Sequence, residues 1–119
     1  MTKTYRIGNN EFINETSIKQ ITIQGQELKT TPGSYNIMSE FLENPNKLYT
    51  KQTIDREILK LIFTNDDPVY RGSHTLYTLI SQLKRELKRT AKALSEKGFD
   101  ADLSCILICR KGQGYYLKA

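Results

Sequence analysis

The chain has 119 residues, 38% of them hydrophobic and 26% charged, with a formal net charge of +5, a composition that predicts one soluble domain around a single modest core. No run approaches the roughly 18 consecutive apolar residues that a membrane span needs, and the start Met1-Thr2-Lys3-Thr4-Tyr5 lacks the apolar stretch of a secretion signal. Residues 1–69 hold eight Lys/Arg against nine Asp/Glu, a balance of −1, whereas residues 70–119 hold ten against four, a balance of +6; such segregation fits a polyanion partner and, equally, a solvated basic face.

In chain order, Tyr5 and Ile7, then Phe12 and Ile13, are apolar points between the turn residues Gly8-Asn9-Asn10 and Asn14-Glu15. Ile21-Thr22-Ile23 alternates with period two, turns at Gln24-Gly25-Gln26 and returns through Leu28. Residues 1–30 therefore predict a small antiparallel sheet. Residues 31–97 predict a three-helix core. Thr31-Pro32 opens its first helix, with Thr31 as N-cap and Pro32 where a missing N–H costs nothing; Ile37, Met38, Phe41 and Leu42 form its stripe, and Asn44-Pro45-Asn46 stops it. Thr50 caps a second helix with the stripe Ile54, Ile58, Leu61 and Ile62, ended by Thr64-Asn65-Asp66-Asp67-Pro68.

The third helix carries the most information. Leu76, Leu79, Ile80, Leu83 and Leu87 make one narrow buried face. Opposite lie His74, Thr78, Ser81, Gln82, Arg85 and Arg89, with Lys84 and Lys88 toward one flank; from His74 to Lys92 there are five Lys/Arg and one acid, Glu86. After Lys97-Gly98 comes a hairpin over residues 104–119, with a strand at Ile106-Leu107-Ile108, a basic turn Arg110-Lys111-Gly112-Gln113-Gly114 and a return through Tyr115-Tyr116-Leu117. On that return strand one tyrosine packs and its neighbour is free.

An α+β order of sheet, three helices and basic hairpin suggests a winged helix-turn-helix, whose third helix (74–89) enters the major groove while the hairpin reaches the backbone. Short Thr78 and Ser81 let a helix approach base edges, Gln82 offers a paired donor and acceptor to adenine, and Arg85 forks onto guanine or phosphate. The surrounding lysines and arginines supply salt-sensitive attraction.

Catalytic and metal readings find little support. Cys105 and Cys109, four apart in an apolar run, would share a strand face roughly 13 Å apart, beyond disulfide reach. They read as small apolar fillers or lightly exposed thiols. A metal would need two further ligands, and His74 is the only histidine. Asp66-Asp67 beside Pro68 reads as a turn rather than an acid–base pair. Gly112-Gln113-Gly114 precedes a strand, not a helix, so it is no phosphate loop. No enzyme, cofactor or metal is expected.

Three segments resemble the effector domain of the OmpR/PhoB family of bacterial regulators: Thr31-Pro32 through Phe41-Leu42-Glu43-Asn44-Pro45-Asn46-Lys47-Leu48-Tyr49-Thr50-Lys51; His74-Thr75-Leu76-Tyr77-Thr78-Leu79-Ile80-Ser81-Gln82-Leu83-Lys84-Arg85-Glu86-Leu87; and the wing-like Lys111-Gly112-Gln113-Gly114-Tyr115-Tyr116-Leu117. The resemblance implies a four-stranded N-terminal sheet, a three-helix core, a wing and transcriptional control through sequence-specific binding of double-stranded DNA. Tandem half-sites, dimerisation on DNA and contact with RNA polymerase follow from it as well. It puts base reading on Thr75, Thr78, Ser81 and Gln82, and backbone contacts on His74, Lys84, Arg85 and Lys111. Charge adds Lys88, Arg89 and Arg110 to the backbone set. The polymerase-facing loop is Asn65, Asp66, Asp67, Tyr70 and Arg71.

Several positions depart from that pattern. Leu79 stands for the family's histidine, His74 for its first arginine, Gln82 for an arginine that reads bases, and Leu59 for a tryptophan. Leu79 and Gln82 motivate the alternative of a winged-helix interaction module that docks a partner regulator without reading DNA. The first strand falls at about Tyr5 with no receiver ahead of it, which resembles the ToxR/CadC branch, where virulence regulators are found. The expectation is a cytoplasmic domain, in that branch one tied to the inner membrane through a segment outside this chain.

Overall fold

A computed structural model describes residues 1–58, 72–100, 102–103 and 105–119, and for residues 55 and 72–75 it describes the backbone alone. Strands β1 (Thr2–Ile7), β2 (Asn10–Glu15), β3 (Gln20–Ile23) and β4 (Gln26–Leu28) form an antiparallel meander in chain order. Period-two alternation does the sorting. Ile7, Phe12, Ile21, Ile23 and Leu28 are buried on one face, with Phe12 opposite both Tyr5 and Ile23, and Ile21 opposite Leu28. Asn14 shares that face without being left unsatisfied. Its Oδ1 accepts from the Tyr35 hydroxyl at 2.8 Å, and its Nδ2 donates to Ser39 Oγ at 3.1 Å, which keeps a buried amide affordable.

Helix α1 (Pro32–Glu43) begins as the sequence predicts. Thr31 caps it, and a capping box joins Thr31 Oγ1 to the Ser34 N–H while Ser34 Oγ accepts from the Thr31 N–H at 2.8 Å. Ile37, Met38, Phe41 and Leu42 are buried against the sheet and the third helix. Beyond Asn44 the chain turns at Asn46, whose φ of 67° an asparagine tolerates. Its N–H donates to Leu117 O at 2.7 Å, fastening this turn to the last strand.

Helix α2 starts at Lys51–Thr53 under the Thr50 cap and widens into π-helical winding over Ile54–Ile58. Ile54 and Ile58 are buried as expected. Leu59, Leu61, Ile62 and the loop Asn65, Asp66, Asp67, Tyr70 and Arg71 lie outside the described residues. Helix α3 (Gly72–Glu96) is longer at both ends than the predicted 74–89. It ends at Gly98, whose φ of 89° lets the Phe99 N–H return to Leu94 O at 2.9 Å.

Strands β5 (Leu107–Arg110) and β6 (Gly114–Leu117) make the C-terminal hairpin. The expected strand at Ile106-Leu107-Ile108 therefore lies one residue later at its start and two later at its end. Cys105 sits in the turn before β5 and both thiols are exposed and unbridged, so the shared-face geometry expected of the two cysteines does not apply. The reason is that Ile106 packs into the core from the turn, so the apolar run is not one strand. A winged-helix fold results, its core one cluster shared by sheet, helices and hairpin.

Candidate nucleic-acid interface

The core decides which face of α3 is left outward. Leu76, Leu79, Ile80, Leu83, Leu87, Thr90 and Leu94 are buried, and these fix the helix by its whole inner face. Thr78, Lys84, Arg85, Lys88 and Arg89 are exposed on the remainder. Ser81 and Gln82 are half-buried rather than fully outward, because they stand on the two shoulders of the buried stripe. His74 and Thr75 belong to the first turns of α3, and their side chains fall outside the description. Arg89 pairs with Glu86, its Nη2 2.8 Å from Oε1; as an exposed i,i+3 pair this adds little stability and leaves Arg89 partly neutralised.

The hairpin is tied to the segment between α1 and α2. The Tyr49 N–H donates to Tyr115 O at 2.8 Å and the Tyr115 N–H to Tyr49 O at 2.9 Å, so Tyr49 forms an antiparallel bridge with β6. The Tyr49 ring stacks on Phe41 at 5.0 Å between centroids. Its hydroxyl is pushed up to about 12, first by burial and then by the Glu40 carboxylate. Gly112, with φ of 75°, makes the wing turn.

The wing tip carries Arg110 and Lys111, both exposed. Arg110 lies over the Tyr116 ring, 5.7 Å from its centroid. The expectation of one packed and one free tyrosine needs correction. Both are half-buried, Tyr115 against the core and Tyr116 beneath Arg110. A hollow of about 390 Å³ separates wing from α2, lined by Thr50, Lys51, Gln52, Cys109, Arg110 and the turn. Lys51 is thus a cation beside the wing that the sequence reading passed over.

A second residue missed there is Tyr77. It is 68% exposed on α3, and the Tyr115 hydroxyl is raised by burial, then by Cys109 and, least, by the charge of Tyr77. An aromatic lying off the apolar stripe was the available signal. Among the described residues no group of acids, cysteines and histidine could hold a metal, and no helix is long and apolar enough to cross a membrane.

A four-stranded sheet, a helical core and a hairpin bridged to the α1–α2 segment define a winged-helix domain. The same fold recurs in the DNA-binding domain of the response regulator AdeR, solved in complex with an intercistronic region, at 22% identity and TM-score 0.67 over 98% of each chain. The DNA-binding domain of CpxR from E. coli matches at 16% identity and TM-score 0.66, over 98% of this chain and 97% of that one. The Klebsiella pneumoniae RstA DNA-binding domain, in complex with the RstA box, matches at 14% identity and TM-score 0.63 with the same coverage. No family model and no curated protein matches the chain by sequence; the likeness is one of fold.

Proposed function

We propose that this domain binds double-stranded DNA sequence-specifically and controls transcription, with α3 in the major groove and the wing on the neighbouring backbone. The observation that carries the reading is the outward face of α3, on which Thr78, Arg85, Lys84 and Lys88 are exposed, in a fold that also presents a hairpin tipped by exposed Arg110 and Lys111. Short hydroxyl side chains with cations around them suit base edges and phosphates. Thr75, Thr78, Ser81 and Gln82 are the base-reading residues of this proposal. His74, Lys84, Arg85, Lys88, Arg89, Arg110 and Lys111 are the backbone contacts.

Support also comes from AdeR and RstA, whose domains of this fold were solved with DNA. Tandem half-sites, dimerisation on DNA, contact with RNA polymerase through the loop Asn65–Arg71, and a cytoplasmic setting are the finer parts of the proposal. They rest on the resemblance alone, as does a ToxR/CadC-like tie to the inner membrane. The alternative of a docking module loses one motive, since Leu79 is only 8% exposed and offers a partner no apolar surface.

Fluorescence anisotropy against a mixed pool of genomic DNA fragments, titrated with salt, tests the reading, with an Arg85→Ala/Lys111→Ala variant as control. Affinity that falls steeply with salt and is lost in the variant is the expected result. No binding at low salt would overturn it.

A further inference from the structure

The shoulder of α3 that carries Gln82 looks onto the β4–α1 connection. There a hollow of about 260 Å³ is lined by Lys29, Thr30, Thr31, Ser34, Gln82, Arg85 and Glu86. Lys29 and Arg85 are exposed cations at its walls. The charge of Glu86 is met by Arg89, and the Thr31 and Ser34 hydroxyls are engaged in the capping box. Gln82 is different. It lines the hollow with its Oε1 turned inward, buried and without a hydrogen-bond partner. The other atom of the amide, Nε2, is a donor.

Arg85 belongs both to the outward face of α3 and to the wall of this hollow. A duplex lying along that face therefore passes its mouth. We propose that the hollow receives a phosphate of the DNA backbone on the α1 side of the groove, with Lys29 and Arg85 as charged contacts and Gln82 as amide donor. This rests on the DNA-binding reading, and it moves Gln82 from a base edge to the backbone. The footprint of the domain then extends beyond helix and wing to the end of β4, and the wing and the hollow grip the two strands that border one groove.

The consequence is measurable because phosphate contacts weaken all sequences alike, whereas base contacts weaken only the preferred one. Lys29→Ala, Gln82→Leu and wild-type full chains are titrated against a duplex selected from the pool and against its shuffled counterpart, over a range of salt. Circular dichroism melting of each variant checks that the fold is intact. Lys29→Ala should lower affinity roughly tenfold at 0.1 M salt and flatten the log–log salt slope by about one unit on both duplexes. Gln82→Leu should weaken both duplexes by the same factor with the slope unchanged. A Lys29→Ala slope equal to wild type overturns the inference while leaving DNA binding intact, as does a Gln82→Leu loss confined to the selected duplex. Wild-type protein that binds neither duplex overturns the underlying reading itself.

Discussion

Gly114 lies directly against the backbone of Tyr49: a Cβ at Gly114 would stand 2.2 Å from the Tyr49 carbonyl oxygen and 2.9 Å from its carbonyl carbon. The neighbour is main chain engaged in the Tyr49–Tyr115 bridge, so it cannot swing aside. The Gly114 φ of 148° adds a strain that an L side chain would feel. Gly114→Ala should destabilise the domain by about 1–3 kcal/mol, the usual range for overpacking. Gly112→Ala meets nothing within 4 Å and suffers only the left-handed penalty. Urea denaturation of the two variants compares them. An equal midpoint shift for both would mean that the close approach to Tyr49 plays no part.

A pH dependence follows from the pairing of β1 with the end of α1. The Glu43 carboxylate accepts from the Tyr5 hydroxyl and from Lys3 Nζ, the latter at 2.9 Å. These hold its pKa below the ordinary 4.5, the tyrosine first and the lysine second. A carboxyl depressed on folding stabilises above its unfolded value and loses that contribution as pH falls through the folded one. Glu43→Gln should therefore melt below wild type at neutral pH, by a small margin because the group is exposed. The margin should narrow as the pH drops below about 4.5 and vanish in strong acid. Melting curves across that range decide it, and a margin independent of pH would sink the assignment.

Thr90, in the interior of α3, carries a hydroxyl that the core would be better without. Thr90 is fully buried, and its Oγ1 has no hydrogen-bond partner. Valine has nearly the same volume and brings no hydroxyl to desolvate. Thr90→Val is expected to raise stability by about 1 kcal/mol, read as a higher denaturation midpoint at unchanged slope. A lower midpoint would show that the hydroxyl is satisfied in solution.

Patterns with a short period were legible from residues alone. The Thr31 cap, the α1 stripe, the α3 inner face and the two-residue turn at Gln24-Gly25 each follow from a local rule that the tertiary structure does not oppose. What escaped depended on partners far away in sequence. Gly114 looked like a turn glycine, but its tight position is set by Tyr49, which lies 65 residues earlier. Gln82 lay on the polar side of a helical wheel, yet it stands on the shoulder of the buried stripe, facing the hollow beside the β4–α1 connection, and is half-buried. Lys29 sits in a segment with no charge signal of its own and acquires one only beside Arg85. Ile106 left the strand register because the core could take it from a turn.

Tyr77 supplies the sharpest test of how the wing and α3 act together. It is large, aromatic and 68% exposed on α3, and near enough to Tyr115 to help raise that hydroxyl, after burial and Cys109. In the DNA-binding reading, its ring meets the sugar or a thymine methyl where the groove passes between helix and wing. Covering roughly 40 Å² of apolar surface there is worth about 1 kcal/mol, which is roughly fivefold in affinity. Tyr77→Ala should lose that factor on a selected duplex and keep the wild-type salt slope, because no charge is removed. Its stability should stay within about 0.5 kcal/mol of wild type, as for other exposed positions. Anisotropy titrations at several salt concentrations, with a denaturation curve alongside, separate these effects. Unchanged affinity would mean that the duplex does not pass between α3 and the wing, and a large loss of stability would mean that Tyr77 serves the hairpin rather than the DNA.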